Sequence, residues 1–379
     1  MAFTLPAYHA PPFHEPPLAQ APLARFAPAP QDGVAPEGFH ATSVFPEFLQ
    51  LQPGVWRLLR NSRMDCLVVR QPGGELAVLE PRLLKAGDLV ALGRRENGED
   101  GIYLHTAAFG PPAEQAEKFA FRTQQSRESS FSIDYDQLYE LLAFERQHGF
   151  IVWVLGPALV FDADARRAMA ALIEQGYAHA VLAGNALATH DLEAALLGTA
   201  LGLDIYSQRR ATQGHYHHLE VINRVRVLGG IQQAVEQGLI QDGVIRACLR
   251  KGLPLVLAGS IRDDGPLPGV LADVYQAQDR MRQQLCQATT VLALATQLHA
   301  IAAGNLTPSY QVEPSGRVRP VYFYTVDMSE FAAHKLANRG SLTARAVLTN
   351  VQDFVVNLAR VLGVQGCPPP LEPGQEPLG

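Results

Sequence analysis

The hydrophobic positions change rhythm along the chain. Between residues 39 and 110, short apolar segments (Val55–Leu59, Cys66–Val69, Leu76–Leu79, Leu89–Leu92) alternate with turn-forming residues. Recurrence at roughly ten-residue intervals predicts a small antiparallel β domain. From Phe150 onward, continuous apolar runs alternate with amphipathic stretches. Ile151–Leu155, Ala178–Leu182, Leu253–Leu257, Thr290–Leu294, Val321–Val326 and Ala344–Leu348 read as buried strands. Asp162–Gln175, His190–Leu197, Glu330–Asn338 and Val351–Leu362 read as helices. Unbroken apolar strands alternating with helices predict an α/β fold, a mostly parallel sheet covered on both faces and preceded by a small β-rich domain.

The flanking segments differ in composition. Residues 1–37 are rich in Pro and Ala, with Pro11-Pro12, Pro16-Pro17 and Pro28-Ala29-Pro30, and are expected to form an extended arm without a core of their own. The expected division is arm 1–37, small β domain 38–110, polar connector 111–148 with a helix at Tyr135–Gln147, main domain 149–365 and tail 366–379.

Composition narrows the function classes. The chain has 379 residues, enough for more than one core, and 47% hydrophobic with 18% charged residues is ordinary for a soluble globular protein. No apolar stretch approaches the roughly 20 residues of a membrane helix, and the N-terminus lacks the basic and apolar regions of a signal peptide. A net charge of −6 without a basic tract argues against nucleic acid as a partner. Cys66, Cys248, Cys286 and Cys367 are far apart, so no zinc knuckle or disulfide framework is indicated, and a reducing cytoplasm is expected.

Candidate chemistry collects at the turns that end the strands. Ala258-Gly259-Ser260-Ile261-Arg262-Asp263-Asp264-Gly265 follows an apolar run and sets a guanidinium beside two carboxylates. Arg262 can clamp a carboxylate, and the acids can hold an ammonium group or take its proton, so the turn suits an amino acid. The competing reading is an Arg–Asp pair that stiffens a turn. Three further turns share the design: Gly156-Pro157-Ala158, Ala183-Gly184-Asn185-Ala186, and Val326-Asp327-Met328. A glycine before a helix N-terminus suits a pyrophosphate, and an acid at a strand end suits a ribose diol, although no G-x-G-x-x-G fingerprint occurs. Leu298-His299 and Gly304-Asn305-Leu306-Thr307-Pro308-Ser309 read as a fifth turn, with Gly304 free to take positive φ.

His215, His217 and His218 form a second polar cluster around Tyr216. With no acid or thiol to complete a shell, no metal site is assigned. Substrate positioning, proton transfer and a hydrogen-bonded structural role all remain open there. Lys335 reads as solvated, Arg339-Gly340-Ser341 as a helix end, and Cys66 as a small buried residue, since the neighbouring Asp65 disfavours a thiolate.

These residues carry a family resemblance. Met64-Asp65-Cys66, Lys85–Val90 and Gly101-Ile102 resemble the region shared with bifunctional lysine-ketoglutarate reductase/saccharopine dehydrogenases (the LOR/SDH region). Leu182–Glu193, Gly214–Leu219, Leu257–Pro268, Leu298–Ser309 and Val326–Ser341 are similar to archaeal-type NAD-dependent ornithine cyclodeaminases. The same module ends the cyanobacterial arginine dihydrolase–ornithine cyclodeaminases. The likeness runs from about Phe39 to Gly363. It implies a Rossmann-like domain that binds NAD through Gly184, Asn185, Ala186, Asp264, Leu298, His299, Asn305 and Asp327. The dihydrolase domain is not present, Phe121–Ser132 is more polar than the family's stretch, and Asp327 lacks the Asn-Pro that usually follows it.

The expected function is conversion of ornithine to proline and ammonia through an imine and bound NADH. Arg262 would be the clamp, with Asp263, His217 or His218 as the base. The expected partners are a small-molecule amino-acid substrate and further copies of the chain as a homo-oligomer, with no membrane and no nucleic acid. Two rivals stand beside this reading: an NAD-dependent amino-acid or opine-type dehydrogenase, and a catalytically silent NAD-binding regulatory protein.

Overall fold

The computed structural model describes residues 3–109, 131–263, 265–329 and 343–366. The expected helix Glu330–Asn338, Lys335, Arg339–Ser341, Asp264, nearly all of Phe121–Ser132 and the tail from Cys367 lie outside the described residues.

The N-terminal β-rich region contains β1 (Arg25–Pro28), β2 (Glu47–Gln52), β3 (Val55–Leu58), β4 (Leu67–Arg70), β5 (Leu76–Leu79), β6 (Leu89–Leu92) and β7 (Ile102–Leu104). They form two antiparallel sheets, in the orders β1-β6-β4-β5 and β3-β2-β7. Leu49, Leu59, Val68, Ala91 and Ile102 fill one core cluster, and Leu67, Val69, Leu84 and Val90 another.

The Pro-rich arm is a correction. Its residues Arg25–Pro28 pair with Leu89–Leu92, Leu18 is buried, and Phe3 and Leu5 pack on the main core. An edge strand needs hydrogen bonds on one side only, which Ala and a terminal Pro allow. Composition told that this stretch builds no core alone, but not that it docks on one.

The polar connector holds α1 (Phe131–His148), which buries Leu138, Leu141 and Leu142 against the main sheet. There follow β8 (Ile151–Leu155), α2 (Ala163–Glu174), β9 (Ala180–Gly184), α3 (Asn185–Leu197) and a short ribbon of β10 (Thr199–Ala200) and β11 (Leu203–Asp204). Next come α4 (His217–Val227), α5 (Ile231–Glu236), α6 (Val244–Lys251), β12 (Leu255–Ala258), α7 (Val274–Leu285), β13 (Thr290–Leu294) and α8 (Leu298–Leu306). The hairpin β14 (Tyr310–Val312) and β15 (Val318–Pro320) precedes β16 (Tyr322–Asp327), β17 (Thr343–Leu348) and α9 (Val351–Val361).

Six strands make one parallel sheet in the order β12-β9-β8-β13-β16-β17. Numbered within this sheet alone, the order is 3-2-1-4-5-6, the doubly wound arrangement that binds dinucleotides at its switch point. Side chains alternate between faces, as a strand dictates. Ile151, Trp153 and Leu155 face α1, α2, α3, α6 and α9, whereas Val152 and Val154 face α7 and α8. Burial on both faces explains why these strands read as unbroken apolar runs.

One polar network inside this packing is structural. Asp191 on α3 accepts from Arg166 Nε at 2.7 Å and from the backbone amides of Val244 at 3.1 Å and Ile245 at 2.8 Å, so it caps α6. Arg166 also reaches Asp242 at 2.7 Å. Asp191→Ala would leave a buried guanidinium short of its main partner and uncap a helix. We expect a loss of about 3–5 kcal/mol in unfolding free energy, read from urea unfolding curves.

Candidate active site at the carboxyl ends of the strands

The first strand offers no phosphate loop. A Cβ on Gly156 would collide with the carbonyl oxygen of Ala295, so the ends of β8 and β13 meet backbone to backbone. Ala295 accepts a left-handed φ of 45° at this contact, a strained value for a residue with a side chain. The following α2 begins at a closed end, because Asp162 accepts from the Ala165 amide at 2.8 Å. This is the physical reason that no G-x-G-x-x-G occurs here.

The second strand provides an open helix end instead. β9 runs into α3 with no intervening loop, and Gly184 is an N-cap whose lack of a side chain leaves the first amides uncapped. The helix expected to start at His190 therefore starts at Asn185. Gly184 is required by proximity rather than by φ: a Cβ there would stand 2.7 Å from Cε1 of His299. A glycine cradle under an aromatic ring, joined to an uncapped helix N-terminus, fits the pyrophosphate of a dinucleotide.

Three neighbouring turns complete the crevice. Asp263 Oδ2 accepts from the Ser260 amide at 2.8 Å, and Asn185 Nδ2 approaches Asp263 Oδ1 at 3.5 Å. Asn185 Oδ1 in turn accepts from the Leu267 amide at 3.0 Å, tying the turn after β12 to the start of α3. His299 opens α8, the helix after β13. Burial pushes its imidazole below the ordinary range, and the Asp263 carboxylate pulls it back up. Asp327 ends β16 and holds the Ser329 amide at 2.9 Å with one carboxylate oxygen. Its other oxygen has no hydrogen bond among the described residues, which leaves it for a diol.

Gly184, Asn185, Ala186, Asp263, Leu298, His299 and Asp327 thus gather where the sequence placed them, at the strand ends. Arg262 does not turn inward: it is exposed, beside a fully exposed Ile261. Asn305 is a further departure. The expected turn 304–309 is in part α8, with Gly304 buried inside the helix, and Asn305 sits near the opposite end of α8 from Leu298. Apolar helix residues and a packed glycine look like a loop when only their small size is read.

His217 and His218 lie elsewhere. His217 Nδ1 bonds Thr199 Oγ1 at 2.7 Å, Thr199 Oγ1 donates to Glu193 Oε1 at 2.8 Å, and Glu193 Oε2 meets His190 Nδ1 at 2.8 Å. This network joins the carboxyl end of α3 to the start of α4, about 18 Å along the helix from Asn185 at 1.5 Å per residue. Within one chain His217 and His218 are not beside Asp263. The His-x-x-Glu spacing on α3 could have signalled this, since residues three apart share a helix face. Among the described residues no group of His, Cys, Asp and Glu is arranged to hold a metal ion, and no helix is long and apolar enough to cross a membrane.

Comparison with known proteins agrees with this geometry. The family described as arginine dihydrolase ArgZ-like, C-terminal, Rossmann fold, matches residues 137–358. The ornithine cyclodeaminase of Methanopyrus kandleri is 39% identical over 340 residues, spanning 89% of this chain and 78% of its own. A conserved LOR/SDH protein of Methanococcus maripaludis superposes with a TM-score of 0.81 at 34% identity, covering 90% of this chain and 98% of that structure. The ternary complex of AgrE with ornithine and NAD+ matches with a TM-score of 0.56 at 33% identity, covering 90% of this chain and 46% of AgrE.

The depressed His299 value makes a pH prediction. In the folded protein the ring stays neutral to lower pH than in the unfolded chain, so unfolding takes up a proton as pH falls. Its contribution to stability is full above about 6.5, the unfolded value, and declines as pH falls toward the lower folded value. Unfolding free energy should rise from pH 5 to 7, and His299→Gln should flatten part of that rise. A remainder should persist, because burial also depresses half-buried His179. An identical pH slope in the variant would contradict the assignment.

Proposed function

The chain belongs to the ArgZ-like family that includes the archaeal ornithine cyclodeaminases, and from that premise we propose that it converts ornithine to proline and ammonia with NAD as cofactor. The observation that carries this reading is that the likeness spans the β-rich region as well as the sheet that holds the crevice. In this reading residues 149–365 are the cofactor-binding domain, residues 38–110 a second domain, and the protein works as a homo-oligomer in the cytoplasm.

NAD, when bound, supplies a two-electron acceptor that is restored within each turnover, so the reaction has no net redox change. The chain's own residues divide the remaining tasks. The uncapped end of α3 and Gly184 hold the phosphates, and Asp327 holds a ribose. Asp263 and His299 handle protons. The neutral imidazole takes a proton from an ammonium group, and the adjacent carboxylate steadies the charge that results. Proton transfer by such a pair works near neutral pH because burial keeps the ring unprotonated at rest.

The assay is one of stoichiometry. Purified protein given ornithine and a small amount of NAD should release proline and ammonia in equal amounts without accumulating NADH. NADH building up in step with a 2-oxo acid would replace this reading with an amino-acid dehydrogenase, and tight NAD binding without turnover would replace it with a silent binder. In the active protein, Asp263→Asn should lower single-turnover rate by about 10²–10⁴-fold while NAD still binds. Near-normal turnover in a well-folded variant would remove Asp263 from proton transfer.

A further inference from the structure

A second cavity lies between the β-rich region and helices α7 and α8. Its volume is about 370 Å³, and it is lined from one side by Arg63, Asp65, Cys66 and Glu80 and from the other by Ala302 and Asn305. We propose that this cavity holds the diamino-acid substrate, with Arg63 as the partner of the α-carboxylate and Asp65 and Asn305 as the partners of an ammonium group. The inference rests on the cyclodeaminase reading and names the substrate site within it.

Charge identifies the ligand class. Two guanidinium groups, Arg63 and Arg82, and two carboxylates, Asp65 and Glu80, face the cavity. Such a balanced lining suits a molecule that carries both signs, whereas a pyrophosphate would meet the carboxylates unfavourably. The volume also lies at the low end of ligand pockets, which suits an amino acid better than a dinucleotide.

The polar groups differ in how far they are already engaged. Arg82 gives Nη2 to Asp279 at 2.7 Å and lies 4.8 Å over the Tyr275 ring, so it serves as a wall. Arg63 is 4% exposed, and its side chain makes one hydrogen bond among the described residues, from Nη2 to Glu80 at 2.7 Å. The rest of its five-donor fork remains for a ligand carboxylate. Asp65 is exposed at a left-handed φ of 64°, and its carboxylate has no partner among the described residues. Side-chain residues held in that region cluster at ligand sites. Cys66 adds no charge, because burial pushes its thiol up.

Continuity with the cofactor crevice comes from α8. His299, Ala302 and Asn305 follow one another at three-residue steps and so share a helix face. One end of this face lies at Gly184 and the other beside Asp65 and Cys66. A substrate in the cavity would therefore reach toward a cofactor held at the strand ends. This geometry moves the carboxylate clamp from the exposed Arg262 to the enclosed Arg63.

The test uses the full chain and the variants Asp65→Asn and Asn305→Leu. Both positions are exposed, and Asn tolerates a left-handed φ. Melting temperature should stay near wild type, and NAD affinity by calorimetry should stay within about twofold. The KM for ornithine should rise at least tenfold, since a charge-assisted contact is lost in one variant and the cavity is filled in the other. Asn305→Leu that weakens NAD and leaves the KM for ornithine unchanged would overturn the proposal. If wild type releases no ammonia from ornithine, the function reading fails separately. Calorimetry of the NAD-loaded protein with ornithine, lysine and 2,4-diaminobutyrate then decides the cavity. Binding that Asp65→Asn weakens supports it, and no binding at millimolar concentration overturns it.

Discussion

A parallel sheet cannot leave a face to solvent, because each strand carries apolar side chains in both directions. Trp153 and Val154 are neighbours in sequence and are both fully buried, one against α1 and α2, the other against α7 and α8. That constraint sets the crossover helices on both faces and points all six strands the same way. Their carboxyl ends then meet along one edge, where the turns bearing Asn185, Asp263, His299 and Asp327 have to lie.

Helix α3 shows how one element serves both fold and site. Its first turn faces the crevice, opened by a glycine that contributes no cap. Its later turns carry His190, Asp191 and Glu193 inward, to Thr199, Arg166 and the start of α6. Buried polar groups need partners, and these find them within the protein. A run of titratable residues on one short helix can therefore be structural, while the chemistry depends on backbone at its other end.

The β-rich region docks through charged contacts rather than through an extension of the main core. Glu80 receives Arg63 and Arg282, and Arg82 reaches Asp279 on α7. Tyr310 on β14 donates to the Leu59 carbonyl at 2.7 Å, fixing the same junction from the other side. Such pairs, desolvated but mutually satisfied, orient two bodies more than they stabilise them. The junction they hold is also where the inter-domain cavity opens.

Period and composition were enough for the parallel sheet and its helices, since buried strands and amphipathic helices leave distinct apolar spacings. The strand-end turns were legible for the same reason: small residues after an apolar run mark where a strand stops. Strand order was not legible, because hydrophobicity marks that a strand is buried and not which strand lies beside it. Nor was the separation of His217 from Asp263, or the approach of His299 to Gly184, which are distances across crossovers. Asp65 and Cys66 looked like a local turn with a buried thiol, and that reading of the thiol holds. Their place opposite Asn305 arises only when two regions more than 200 residues apart in the chain dock, and local spacing carries no trace of such a contact.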